Sequence, residues 1–239
     1  MLGPIVMPSS LPILLIPGLA SSARIYTPVL PALWNFGPVT IANHVRDDSM
    51  PAIAKRILAE APPRFALAGH SMGGYIAFEI MRQAPERVER LALINTQARP
   101  DTPDSSANRR NQMAQAQAGN YGAAMTALFP LLVHPSRRDD ADLKRQVREM
   151  NDDLAVADFI RQQTAIIDRV DSRPTLSTIR CPTLVLTGDQ DVLLPHHLSE
   201  EMAQGIAGAK LVTIPECGHM PQFERPDATV AALVDWLRM

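Results

Sequence analysis

Short aliphatic runs alternate along the chain with longer stretches of helical period. The block Ile13-Leu14-Leu15-Ile16 and the runs like it lack the polar alternation of a half-exposed strand. They read as strands buried on both faces, the pattern of a parallel sheet with helices above and below. Strands are predicted at Leu14–Ile16, Val39–Asn43, Phe65–Ala68, Leu91–Asn95, Thr183–Thr187 and Lys210–Ile214. Between them, helices are predicted at Met50–Ala61, Met72–Ala84, His196–Ile206 and Asp227–Leu237. Ser49 suits the N-cap of the first, Pro51 is tolerated in its opening turn, Pro85 stops the second, and Asp227 helps open the last.

One interval breaks this rhythm. The stretch between Asn95 and Thr183 far exceeds an ordinary connection of about 2–6 residues. From Arg99 to Ser172 the composition turns polar and helix-friendly, with Pro100 and Pro103 at its entrance and Pro174 at its exit. Helices are expected at Ser105–Ala118, Tyr121–Leu128, Arg137–Met150 and Leu154–Val170, with Pro130 and Pro135 marking turns. The chain therefore divides into a core, residues 1–98 and 173–239, and a helical cap over residues 99–172. Insertions of this kind often cover a site, although a purely structural excursion has the same pattern.

Composition narrows the function. The 239 residues carry 23 Lys and Arg against 25 Asp and Glu, a formal charge of −2. No surplus of positive charge exists to neutralise phosphates, so neither nucleic acid nor an anionic membrane is an expected partner. Met1 to Ala23 is free of charge, yet it has no basic leader region, and Pro4, Pro8, Pro12 and Pro17 interrupt it. It reads as the approach to a buried strand rather than as a signal peptide or membrane span. Cys181 and Cys217 are too few for a disulfide framework or a four-thiolate metal site, so a cytoplasmic location is expected. The region 99–172 alone holds 10 Lys and Arg and 11 Asp and Glu. A balanced, charge-dense cap over an apolar core suits an uncharged substrate entering from the cap side.

Candidate chemistry gathers at the ends of the predicted strands. Gly69-His70-Ser71-Met72-Gly73 has the spacing G-x-S-x-G between the strand Phe65–Ala68 and a helix. Its flanking glycines permit a sharp strand-to-helix turn that holds the serine exposed and strained at the carboxyl edge of the sheet. A serine hydroxyl needs a base within hydrogen-bond reach, itself oriented by a carboxylate. His219 follows the last strand in Glu216-Cys217-Gly218-His219, and Asp189 and Asp191 follow the strand before it in Gly188-Asp189-Gln190-Asp191. Other signals are weaker. His196 and His197 are adjacent on a helix, about 100° apart, and cannot converge on one metal. Cys217 reads as a small buried cysteine, His70 as a packed and hydrogen-bonded residue, and His44 as structural. Tyr121, Met125, Phe129 and Phe159 are candidates for lining a substrate pocket, although such stripes usually serve the local core.

The elbow Gly69-His70-Ser71-Met72-Gly73-Gly74, the turn Pro85-Glu86-Arg87-Val88, the Gly188-x-x-Asp191 loop and the Gly218-His219 loop near Pro221 together resemble the α/β-hydrolase family. The resemblance runs from about Leu14 to the C-terminus, the cap sharing only its position. It implies an α/β-hydrolase fold, a mostly parallel central sheet of about six to seven strands flanked by helices. Only about 13 residues precede the first strong strand, so the family's N-terminal hairpin is expected to be shortened or missing. The resemblance further implies Ser71 as nucleophile, His219 as base and Asp191, rather than Asp189, as acid. It assigns the oxyanion hole to the backbone N–H groups of Met72 and of Leu19, in the loop Ile16-Pro17-Gly18-Leu19-Ala20. Many relatives carry His-Gly where this chain has Pro17-Gly18, so the backbone role survives without that histidine. No metal or organic cofactor is required.

The activity so implied is hydrolysis of a small or medium carboxylic ester through an acyl-enzyme. A lactonase or a carbon–carbon bond hydrolase would use the same three residues, and a ligand receptor on this fold would retain them. Ser71 argues against haloalkane dehalogenases and epoxide hydrolases, which need a carboxylate at the elbow. The oligomeric state is not legible in the sequence.

Overall fold

The six aliphatic runs form one sheet in a computed structural model of the chain, which describes residues 10–239. Its strands are β1 (Ile13–Ile16), β2 (Val39–Ile41), β3 (Phe65–His70), β4 (Val88–Ile94), β5 (Thr183–Gly188) and β6 (Lys210–Ile214), in the spatial order β2-β1-β3-β4-β5-β6. Every pairing is parallel. The expectation of a shortened N-terminal hairpin falls on residues 1–9, outside the described residues.

Alternate side chains of each buried strand feed two cores. Leu14, Ile16, Leu67 and Leu93 pack with α2 (Met50–Glu60), α3 (Met72–Gln83) and α9 (His196–Gly205) on one face. Ile13, Leu15, Ala68 and Ile94 pack with α1 (Leu30–Leu33) and α11 (Pro226–Leu237) on the other, around Leu233 and Trp236. Small residues at Ala66, Ala68 and Ala92 leave room there for the indole. Two short helices add to these layers, α8 (Arg173–Leu176) through Leu176 on the first face and α10 (Pro221–Glu224) through Phe223 on the second.

Between β4 and β5 lie α4 (Pro103–Gln115), α5 (Tyr121–Leu132), α6 (Ala141–Asp152) and α7 (Val156–Ile167). Several local details differ from the sequence reading. The helix expected through Ala118 gives way at Ala116–Asn120 to a wide turn in which Gly119 takes φ 90°. Pro130 does not mark a turn as expected but lies inside α5, two residues before its end, where its missing N–H leaves the Thr126 carbonyl without its helical donor. The helix expected from Arg137 starts at Ala141, because Asp140 accepts the Leu143 N–H and caps it. Ser49 occupies the N-cap of α2 in extended conformation, but its side chain makes no capping bond. Among the described residues, no helix is long and apolar enough to cross a membrane.

The order of the strands positions the site. From β1 the chain turns outward to β2, and from β3 it turns the other way to β4, so a crevice opens at the carboxyl ends of β1 and β3. The turn from β3 into α3 is tight: a Cβ on Gly73 would collide with the Ile16 carbonyl, and one on Gly69 with the Gly73 carbonyl. Backbone against backbone cannot yield as a side chain can. Gly73→Ala should therefore cost at least about 1–3 kcal/mol, the usual penalty of overpacking. Gly122→Ala, in α5 with open space around it, should cost nothing or gain up to about 1 kcal/mol from helix propensity. Urea denaturation of the two variants checks the contrast, and equal midpoints would contradict it.

Candidate active site

Ser71 stands at the turn with φ 53° and ψ −116°, a region that side chains rarely adopt. Three hydrogen bonds hold it there. Its N–H donates to Ile94 O (2.9 Å), and its carbonyl accepts from Thr96 Oγ1 (2.8 Å) and Gly74 N–H (2.9 Å). Ala20 (φ 53°) and Asn95 (φ 41°) lie on the same edge of the sheet, after β1 and β4. Three of the four non-glycine residues with positive φ among the described residues thus surround one site, where strain typically concentrates.

His219 reaches the serine from the loop after β6. Its Nε2 lies 2.9 Å from Ser71 Oγ, and its Nδ1 lies 2.7 Å from Asp191 Oδ2. With the ring proton on Nδ1, His219 donates to Asp191 and accepts from Ser71. Asp191 is buried but fully partnered: Asn95 Nδ2 donates to Oδ2 (2.8 Å), and the N–H groups of Leu193 and Leu194 donate to Oδ1 (3.0 Å each). Burial alone pushes its carboxyl upward, but His219, Asn95 and the Leu194 N–H outweigh that, leaving it below the usual carboxylate range. Asp189 is exposed and caps the Cys217 N–H instead, at 3.1 Å. Of the two carboxylates open in the sequence, only Asp191 touches the histidine.

The histidine's loop is clamped from below. Glu224, buried in α10, accepts from Gly218 N–H (3.0 Å), Met220 N–H (3.2 Å) and His134 N–H (2.6 Å). His219 N–H donates to Leu132 O in α5 (2.9 Å), and its own carbonyl accepts from His70 Nε2 (2.8 Å). Burial, with His219 alongside, pushes His70 down to about 3, so it is neutral at ordinary pH. His44 is also buried and shifted down, with Nε2 2.9 Å from Gly18 O. Burial likewise pushes the Cys217 thiol up, away from reactivity.

A cavity of about 220 Å³ opens over Ser71 and His219. Leu19 and Met72 line it, as do Met125 and Phe159 from the insertion. Tyr121 and Phe129 do not: they border a neighbouring recess between α5 and α6. The Tyr121 ring lies 5.2 Å from that of Phe159, tilted by 57°, and Phe129 packs with Leu143 and Val147. The loop after β1 is tied to the insertion by two buried amides. Ala20 N–H donates to Gln162 Oε1 (3.0 Å), and Asn151 Nδ2 donates to Ala20 O (2.7 Å). No sequence pattern marks Gln162, Asn151 or Glu224. Asn95 carries one signal, since it follows a strand at the edge that bears Ser71. His196 bonds Thr213 Oγ1 (2.8 Å), and no cluster of three or more metal-ligating side chains occurs among the described residues.

Residues 9–233 match the model of the Alpha/beta hydrolase family. The chain is 30% identical over 192 residues to BpoC of Mycobacterium tuberculosis, whose name makes it a candidate non-heme bromoperoxidase, covering 73% of this chain and 67% of that one. It is 27% identical to the pimeloyl-(acyl-carrier protein) methyl ester esterase of Nitrosomonas europaea, covering 77% and 75%. A thermophilic esterase from Thermogutta terrifontis superposes with TM-score 0.86 at 28% identity, over 95% of this chain and 89% of that one.

The buried histidines make stability depend on pH. A histidine whose pKa is lower folded than unfolded favours the unfolded chain wherever only that chain is protonated. Stability should be complete above about pH 6.5 and fall below it, for His70 as pH drops toward 3, by up to about 1.4 kcal/mol per pH unit for each such histidine. Denaturation between pH 7 and 5, above the range of the depressed carboxylates, isolates this contribution. The slope should flatten in His70→Gln, and an unchanged slope would contradict a neutral, buried His70.

Proposed function

The chain belongs to the alpha/beta hydrolase family, and from that premise we propose that it cleaves carboxylic esters of small molecules, with Ser71 as nucleophile. The observation that carries this reading is the unbroken chain of hydrogen bonds from Asp191 through His219 to Ser71 Oγ at the floor of a cavity. The esterase names of two relatives, 27% and 28% identical, support an ester as the substrate class.

In the proposed mechanism, His219 Nε2 takes the Ser71 proton as Oγ attacks the ester carbonyl. Asp191 keeps the imidazole in the tautomer whose Nε2 accepts, and stabilises the imidazolium that forms. The backbone N–H groups of Leu19 and Met72 hold the oxyanion; Met72 opens α3, where the helix dipole also favours negative charge. His219 then protonates the departing alcohol, and an acyl-Ser71 intermediate remains. Water, deprotonated by the same histidine, attacks the acyl carbon, and the acid leaves as Ser71 recovers its proton. Atoms of the protein are restored after each turnover, and no cofactor enters these steps. The insertion serves as the lid: Met125 and Phe159 exclude water from the acyl group, while Gln162 and Asn151 fix the loop that carries Leu19.

Turnover of a p-nitrophenyl ester by purified variants tests the assignment. Ser71→Ala and His219→Ala should each lower kcat by at least about 10⁴-fold. Asp191→Asn should lower it by about 10³–10⁴-fold, because the wrong tautomer is then favoured. Asp189→Asn should lose less than about tenfold, because its amide oxygen can still accept from the Cys217 N–H. Residual full activity in Ser71→Ala, or a larger loss at Asp189 than at Asp191, would overturn these roles.

A further inference from the structure

The charge balance of the insertion suggested an uncharged guest, but the cavity wall does not bear that balance. Arg109, on α4, is the sole Lys, Arg, Asp or Glu side chain among the residues lining the cavity with Ser71. It is also held rigidly. Its Nε donates to Asp101 Oδ2 (2.7 Å) and its Nη1 to Gln163 Oε1 (2.8 Å). Gln163, itself fully buried, is fixed in turn by donating to Gln112 Oε1 (2.8 Å). Among the described residues, Nη2 of Arg109 makes no hydrogen bond, so a pinned guanidinium on the cavity lining keeps two N–H donors without a protein partner.

Nor does Asp101 cancel this charge. Its other oxygen accepts from Arg169 Nη1 (2.5 Å), whose guanidinium lies over the Tyr75 ring at 4.3 Å. Two guanidinium groups share one buried carboxylate, leaving a net positive charge beside the cavity. Asp191 lies behind His219 and is not part of the wall. Much of the remaining lining is apolar, contributed by Met125, Leu128, Leu132, Met150, Phe159 and Ile166. A planar, pre-oriented guanidinium at such a wall favours a carboxylate, which it binds with charge-assisted hydrogen bonds.

We infer that the substrate is an ester bearing a carboxylate, with an aliphatic segment between the scissile carbonyl and the anion, and that Arg109 binds that carboxylate. A cavity of about 220 Å³ suits a small acyl group, such as that of the half-ester of a short dicarboxylic acid. The inference rests on the ester-hydrolase reading for its chemistry, but the anion site can be tested apart from turnover.

The first arm compares kcat/KM for monomethyl glutarate and monomethyl adipate with methyl esters of equally long fatty acids. A second set, 4-acetoxybutanoate against butyl acetate, places the carboxylate on the alcohol side and shows which half reaches Arg109. Wild type should favour the anionic member of one set by about ten- to a hundredfold, the range of a charged hydrogen bond. In Arg109→Gln that ratio should fall to about one, whereas Arg109→Lys, which keeps the charge without the fork, should retain part of it. The second arm measures glutarate and adipate binding calorimetrically to wild type and Arg109→Gln, with binding expected only in wild type. Neutral esters turned over as well as anionic ones, or a preference that survives in both variants, would overturn the inference while leaving the esterase reading intact. Arg109-dependent binding of the dicarboxylates with no ester turned over would keep the anion site and remove the esterase reading. Absence of both turnover and binding would overturn the two together.

Discussion

Helix α3 leaves strand β3 so closely that Gly73 touches the Ile16 carbonyl of the neighbouring strand, and that contact governs the rest of the site. A chain that turns so sharply at the carboxyl edge forces the residue at its apex to a positive φ, here Ser71. The cost of such a conformation, on the order of 1–3 kcal/mol, is offset by bonds to Ile94, Thr96 and Gly74 that fix both sides of the peptide. The same geometry leaves the Met72 N–H at the first turn of α3 and brings the loop after β1 beside it. The proposed nucleophile and the proposed anion-binding backbone therefore share one origin, the closeness of a strand and a helix.

Around this turn lies a buried polar network of Asp191, Asn95, His219, His70 and Glu224, in which the two carboxylates are fully paired while His70 Nδ1 and Asn95 Oδ1 have no partner among the described residues. Asp191 is surrounded by four donors and Glu224 by three backbone N–H groups, which lets carboxylates remain beneath a sheet edge. The insertion takes part directly. Leu132 O anchors the His219 backbone, and Gln162 and Asn151 hold Ala20 from both sides. The proposed lid is thus tied to both flanks of Ser71, so its removal would loosen the site as well as open it.

Much of this was legible in the sequence because it depends on local pattern. The inner strands show as aliphatic runs because both faces are covered, and Ser71, Asp191 and His219 show because each follows the end of a predicted strand. Their mutual distances agree with the order of those loops along one edge. What escaped was set by packing between distant segments. Gln162, Gln163 and Arg109 look like ordinary polar positions of helices, and nothing local separates Arg109 from Arg110. Tyr121 and Phe129 border the recess between α5 and α6 rather than the cavity over Ser71, a difference set by how those helices pack and not by their own residues. Pro130 read as marking a turn because proline is unfavourable inside a helix, yet α5 continues through it. The charge count over residues 99–172 averaged away the one guanidinium on the cavity wall.

With Ser71 as nucleophile, bond cleavage passes through an acyl group covalently held on its Oγ. The most direct measurement of that intermediate is rapid quenching of the protein during turnover of a p-nitrophenyl ester, followed by intact-mass and peptide mass spectrometry. The acyl mass should appear on the peptide containing Ser71, at a rate matching the burst of nitrophenolate. Ester cleavage with the acyl mass on another residue, or with no adduct at times shorter than one turnover, would contradict it.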